Sequence, residues 1–352
     1  MMQVIDISDK LKWNTIVDYF PKKDIYYRNE YVHSLMTTET GRGILLYFNN
    51  GKSSTCYPMI IKDIEDDPRF KGNVPHGRYF DMETPYGYGG PLFDNVSHED
   101  LLVYKKELDE WCNEQGIVSQ FIRFNPVLNN AEPTRDFLDE IVYLHHTIYI
   151  DTSNCDLIMK NMDSKNRNMV RKAVRNGVEI VFDNKLESLE EFKSVYKATM
   201  DYHNASDMYY FPDEYYDYLK NEFIDHIILL RAVYEGKTIS SALFFYDENR
   251  MHYHLSGTLL EYRNLASANL LLYEASCWAA NHGIRLLHLG GGLEEDDSLF
   301  GFKKQFNKNG YADFWIGKTI FMPDVYQELL DIREKNDACF DRNNSRMIQY
   351  RR

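Results

Sequence analysis

The residues best suited to chemistry fall in a few short stretches. Asp163 to Arg175 reads DSKNRNMVRKAVR. Arg167, Arg171 and Arg175 recur every four residues, which puts them on one helix face of a basic run that begins at Lys165, with Met169, Val170, Ala173 and Val174 on another face. Such a face suits a phosphate or a nucleic-acid backbone; a solvated helix surface is the competing reading. His252 and His254 flank Tyr253 and share one side of an extended segment. Asp201 and His203 close a helix, where they can meet a polar substrate. Glu294, Glu295, Asp296 and Asp297 follow three glycines, Gly290 to Gly292. That acidic run can hold a metal or a substrate amine, or be a solvated loop. His145-His146 has no third ligand at a familiar metal spacing, so no metal is expected. No Ser-His-Asp or Cys-His arrangement follows from spacing, so no covalent nucleophile is expected.

Strands and helices must position these groups. Val178 to Phe182 reads as a strand. Ser188 and Glu191 have the spacing of a capping box, opening a helix to about Tyr202. A second helix follows Pro212. Three strands come next, His226 to Val233, Thr238 to Tyr246 and Met251 to Ser256, then a helix from Ser267 to Asn281 closed by Gly283. A strand at Arg285 to Leu289, a short helix near Leu299 to Phe306 and a strand at Ala312 to Thr319 complete the order β-α-α-β-β-β-α-β-α-β. The first half repeats it in blurred form. Helices lie near Lys10 to Tyr19 and Arg28 to Leu35, and a hairpin turns at Asn49-Asn50-Gly51. A strand near Arg78, a glycine-rich loop from Tyr86 to Pro91, a helix to Glu114 and strands at Val118 to Phe124 and Ile141 to Ile150 finish the copy. An internal duplication is expected in an α/β chain with mixed sheets. The boundaries fall at 1–150, 151–322 and a packed-back tail, 323–352.

The bulk numbers fit two such domains. The chain has 352 residues, 44% hydrophobic and 27% charged, and single cores stop growing at roughly 250–300 residues. A net charge of −14 argues against coating duplex DNA, without excluding a local basic pocket. The 27 tyrosines suit wet, polar binding surfaces. Five scattered cysteines with no C-x-x-C pair point to free thiols in a cytoplasmic protein. No apolar run approaches the length of a transmembrane segment.

The element order resembles that of the GCN5-related N-acetyltransferase (GNAT) fold. Several local runs are sharper. Tyr86-Gly-Tyr-Gly-Gly-Pro-Leu92, Phe121-Ile-Arg-Phe-Asn-Pro126, Ser164-Lys-x-Arg-x-x-Val-Arg-Lys-Ala173, His288-Leu-Gly-Gly-Gly292, Leu299-Phe-Gly-Phe-Lys-Lys-Gln-Phe306 and Ile316-Gly-Lys318 resemble the FemABX family. The resemblance spans roughly residues 80 to 320. It implies two tandem GNAT-like domains with a cleft between them. It also implies transfer of an aminoacyl or acyl group to an amino group of a cell-wall or surface-glycan precursor. The donor is then the acceptor end of an aminoacyl-tRNA, or an acyl-CoA, with no tightly bound cofactor.

The family's catalytic Phe-Lys pair falls on Phe302 and Lys303. A lysine there can stabilise the oxyanion that builds during aminolysis. Lys304 faces elsewhere. At the strand split expected of the fold, His254 is a candidate proton shuttle, with Tyr253 beside it. Arg263-Asn-Leu-Ala-Ser-Ala268 takes the place of the phosphate-binding turn of CoA-dependent relatives, with Ser267 and Ala268 opening the helix and Ala266 in place of a glycine. Lys165, Arg167, Arg171, Tyr86, Tyr88, Asp201, His203, Tyr253, Arg263 and Gly291 complete the expected substrate contacts. Two departures point away from the standard UDP-linked pentapeptide as acceptor. Glu30 to Leu35 lacks the lysine that family members place after an aromatic, and His203 to Phe211 lacks an arginine. A catalytically inactive GNAT-like binding module is the rival from another class.

Overall fold

The computed structural model describes residues 2–352 apart from Leu293, Glu295 and Asp296. The chain divides into two compact units, residues 1–144 with 314–352, and residues 145–313.

The first unit opens with strand β1 (Met2–Asp6), helices α1 (Lys10–Tyr19) and α2 (Asn29–Leu35), and the hairpin β2 (Arg42–Asn49) and β3 (Ser54–Asp63). Then come β4 (Phe80–Glu83), β5 (Leu92–Asp94), α3 (His98–Glu114) and β6 (Ile117–Arg123). Ser97 and Asp100 form a capping box that starts α3. The hairpin pairs Arg42 with Ile61 through Asn49 with Ser54. Tyr57, Met59 and Ile61 bury themselves with Tyr104 and Leu108 of α3. Large apolar side chains buried in this way contribute about 1.5–3 kcal/mol each.

Strand β7 (Glu140–Asp151) crosses into the second unit. There follow α4 (Cys155–Asn161), α5 (Ser164–Arg175), β8 (Glu179–Asp183), α6 (Leu189–Tyr202), α7 (Asp213–Glu222), β9 (Ile227–Tyr234), β10 (Lys237–Tyr246) and β11 (Arg250–Thr258). Helix α8 (Ser267–Asn281), β12 (Leu286–Gly290) and α9 (Ser298–Lys304) complete it. Strand β13 (Tyr311–Ile320) leads back, and α10 (Pro323–Asn336) packs in the first unit against Phe70, Val74 and Val118. Helix α8 is apolar on most sides. Leu270, Leu271, Leu272, Ala275 and Ala279 are all buried, alongside Ala242 and Phe244 of β10.

The two units repeat one arrangement. Strands β1-β2-β3-β4-β6 neighbour one another in the first, as β8-β9-β10-β11-β12 do in the second. In each, the fourth and fifth of these strands run parallel. Strand β1, absent from the sequence reading, makes the duplication regular. The sixth strand is exchanged. The sequence reading closes each half with its own last strand. In the structure β13 pairs with β6 (Ile316 with Arg123 through Ile320 with Ser119), and β7 pairs with β12 (Asp151 with Leu286 through Ile148 with Gly290). Residues 314–322 therefore belong to the first unit and residues 145–150 to the second.

The capping box at Ser188 does not form, and the Ser188 side chain makes no cap hydrogen bond. Glu191 turns to Arg231 instead, 2.5 Å away, and takes the Thr238 hydroxyl as well. A charged partner outcompetes a backbone N–H for the carboxylate.

Candidate functional site

Strands β11 and β12 pair in register from Arg250 with Leu286 to His252 with His288. Among the described residues the pairing ends there, although β11 runs on to Thr258 and β12 to Gly290. This is the split expected from the sequence. The His252 and His288 rings meet edge to face at 5.4 Å where it opens, and His288 Nε2 lies 2.9 Å from the Thr147 hydroxyl.

Beyond the split the chain enters its glycine run. Asp297 caps α9, accepting the Phe300 N–H at 2.7 Å. A Cβ on Gly292 would lie 2.2 Å from that carboxylate, so glycine alone lets the loop approach the cap. A Cβ on Gly291 would lie 2.4 Å from the His145 ring. The Gly291 carbonyl accepts a hydrogen bond from Lys303 Nζ at 2.6 Å. Lys303 is only 7% exposed. Burial pulls its ammonium down to about 8, against the opposing pull of Asp297. A desolvated cation with one donor committed to a carbonyl keeps two N–H groups for a substrate oxygen. Phe302 is half-buried and packs edge to face on Phe306 at 5.4 Å. Lys304 is exposed and lies over the Phe300 and Tyr311 rings, on a different side of α9 from Lys303.

His254 is held. Its Nε2 lies 2.7 Å from the Tyr215 hydroxyl, and its ring stacks on Phe245 at 4.1 Å. Burial lowers its pKa to about 3, so the ring is neutral at neutral pH. A base that weak is a poor proton shuttle at neutral pH, and the Tyr215 hydroxyl and the Phe245 ring hold the imidazole in place. Tyr253 points to the other face of β11 and packs on Phe244.

The α8 N-terminus is more polar than its sequence suggests. Ala266 adopts a left-handed conformation (φ 59°) and turns the chain into the helix. Ser267 is 1% exposed and its Oγ has no hydrogen-bond partner. Asn166 of α5, 0% exposed, accepts from Asn269 at 2.6 Å, while its own Nδ2 has no partner. Buried polar atoms left open cost free energy unless something arrives to satisfy them. The helix N-terminus favours an anion. Arg263 lies just upstream, 3.0 Å from His203 Nε2 and stacked over Tyr202. Lys165 and Arg171 lie on the exposed side of α5. Arg167 departs from the basic face expected of it. Its guanidinium turns inward to the Met159 and Met162 carbonyls, closing the end of α4.

Other expected contacts are occupied. Asp201 pairs with Lys197 and with the Tyr210 hydroxyl. In the first unit, Tyr88 packs between Tyr26 and Phe314, and burial pushes its phenol up. The Tyr86 carbonyl accepts from Tyr31. The loop they belong to is pinned from below, with Tyr27 and Asn130 both bonded to the Gly89 carbonyl at 2.8 Å. It is a built turn rather than an open contact surface. Of the acidic run, Glu295 and Asp296 lie outside the described residues. The sequence reading gives Asn166 no role, weighs His145 only as a metal ligand, and takes Asp297 as part of an acidic run rather than as a helix cap. An Asp just ahead of the helix expected near Leu299 is the signal available for the last.

Residues 161–304 match the model of an acetyltransferase (GNAT) domain. A UDP-N-acetylmuramoylpentapeptide-lysine N(6)-alanyltransferase from Weissella viridescens is 27% identical over 275 residues, covering 71% of this chain and 80% of that one. The crystal structure of FemX superposes with a TM-score of 0.68 at 14% identity, over 93% of this chain and 99% of that one. The C-terminal domain of a putative lysylphosphatidylglycerol synthetase from Agrobacterium fabrum gives 0.56 at 12% identity, over 92% and 97%. Over most of its length the chain is thus similar to FemX in fold and to this alanyltransferase in sequence, and its second unit carries the match to the acetyltransferase (GNAT) domain.

Proposed function

We propose that the chain forms an amide by moving an aminoacyl group from the 3′ end of a tRNA to an amino group of a cell-wall precursor. The acceptor nitrogen attacks the ester carbonyl, the ester C–O bond breaks, and the amine proton passes to the departing ribose oxygen. The observation that carries this reading is the buried Lys303 ammonium, fixed on the Gly291 carbonyl with two N–H groups to spare. Aminolysis builds negative charge on the carbonyl oxygen, and a fixed cation in a dry site stabilises it far more than it would in water. Proton removal from the nucleophile falls to the substrate or a water chain, since His254 is too weak a base.

The acceptor follows the curated relative, which by its name alanylates a lysine of UDP-N-acetylmuramoylpentapeptide. The missing lysine at Glu30 to Leu35 and missing arginine at His203 to Phe211 argue for a variant of that precursor. Reconstitution with aminoacyl-tRNA and a panel of precursors, read by mass spectrometry, tests both halves.

A second donor is favoured by one observation. Ser267 Oγ and Asn166 Nδ2 are buried without hydrogen-bond partners at the α8 N-terminus, a helix end whose dipole favours a phosphate. An acyl-CoA would use that site, and so would a tRNA phosphate. Calorimetric titration with CoA separates them, because heat at micromolar CoA assigns the donor to the thioester. Among the described residues no helix is long and apolar enough to cross a membrane.

A further inference from the structure

A pocket of about 560 Å³ lies in the second unit at the C-terminal end of α8, whereas the proposed donor site is at that helix's N-terminus. Its size is that of a small-ligand site. It is lined by the end of β8, the turn into β9, the β10–β11 turn and the last turn of α8.

Two features define its chemistry. The first is aromatic. Trp278 meets Tyr246 edge to face at 5.2 Å, and His282 stacks on Trp278 at 4.0 Å. The second is charge. Asp225, Asp247 and Glu248 all line the pocket, and none of its lining residues is a lysine or arginine. Asp247 is buried and fixed, one carboxylate oxygen accepting the Asn249 and Arg250 N–H groups at 2.7 Å each. Asp225 is close enough for its charge to add to the effect of burial in raising the Tyr246 phenol. The carboxylates do not converge as metal ligands do. Among the described residues, the set of side chains close enough to share an ion is Glu65, Asp66 and His76, in the other unit.

We propose that this pocket binds an organic cation, an ammonium or guanidinium carried on an apolar or planar body. Spread carboxylates neutralise such a cation, and aromatic walls take its body by cation–π and apolar contact. The source is either a free small molecule or a basic side chain of a polypeptide.

Calorimetry on the full chain tests this with three probes: agmatine, which carries a guanidinium and an ammonium; the blocked tripeptide acetyl-Ala-Arg-Ala-amide; and neutral butylurea. The expected result is one-to-one binding of at least one cation and none of butylurea. Agmatine alone identifies a free cation, and equal binding of the tripeptide identifies a side chain. Removing the rim charges with Asp225→Asn and Glu248→Gln should weaken the binding about tenfold or more, with the melting temperature unchanged. Lys303→Met should leave it as it was. No binding of either cation at millimolar concentration overturns the proposal. So does binding that survives loss of both rim charges, or that disappears in Lys303→Met.

Discussion

Lys303 Nζ donates to the Gly291 carbonyl at 2.6 Å, joining the last turn of α9 to the glycine run that leaves β12. The contact orients a cation that burial has already made costly, with a pKa near 8. The account of function rests on it.

Replacing Lys303 should separate activity from stability. Lys303→Met should lower kcat by about 10²–10³-fold, the range for losing one oxyanion donor. It should raise the melting temperature at pH 7, because a desolvated charge is gone. The folded pKa, about 8, lies below the ordinary 10.5. Between those values the unfolded chain binds more protons, so in the parent protein this group adds stability as pH rises from about 8 to 10.5. Thermal melts across that window should show the slope in the parent and not in Lys303→Met.

The pH–rate profile should carry the same group. Only protonated Lys303 stabilises the oxyanion, so kcat should fall as pH rises through about 8. Lys303→Arg keeps the charge at high pH, and any activity it retains should lose that falling limb.

His254 makes an opposite statement at low pH. Its folded pKa of about 3 lies below the ordinary 6.5. Stability it contributes is present above 6.5 and is lost as pH falls from there towards 3. Acid melts should show a slope in this window that His254→Phe removes. A kcat profile of the parent with an inflection near 6.5 that His254→Phe abolishes would contradict the neutral, positioning role.

Gly291→Ala should destabilise by about 1–3 kcal/mol, through a Cβ driven into the His145 ring. Adding His145→Ala should return most of that loss, since the clash is between those two side chains. Denaturant titration of the single and double variants measures the coupling.

Much of this was legible in the sequence, for physical reasons that differ by element. Helix α1 falls at the expected residues, and α8 and Gly283 read clearly because apolar spacing and a left-handed C-terminal glycine are local signals. Strand β1 was missed because five residues, Met2 to Asp6, give too short a pattern. The exchange of β7 and β13 was invisible, since strand partners are set by long-range pairing and not by local propensity. At the candidate site, the motif is what singles out Lys303. Its 7% exposure and its carbonyl partner needed the fold. Arg167 read as part of a basic face, yet the sequence carries no sign that the α4 carbonyls would claim it.

The donor site gives a kinetic prediction. Ser267→Ala and Asn166→Ala should raise KM for the donor about threefold to tenfold with kcat nearly unchanged, as expected of lost uniform binding. The effect should shrink at high salt if a phosphate is what they hold.

The most direct test is a reconstituted reaction of the purified chain with aminoacyl-tRNA and a cell-wall precursor bearing a free amine. The account predicts a product heavier by one aminoacyl residue, joined by an amide, formed by the parent and lost in Lys303→Met. A product formed at the parent rate by Lys303→Met would contradict it.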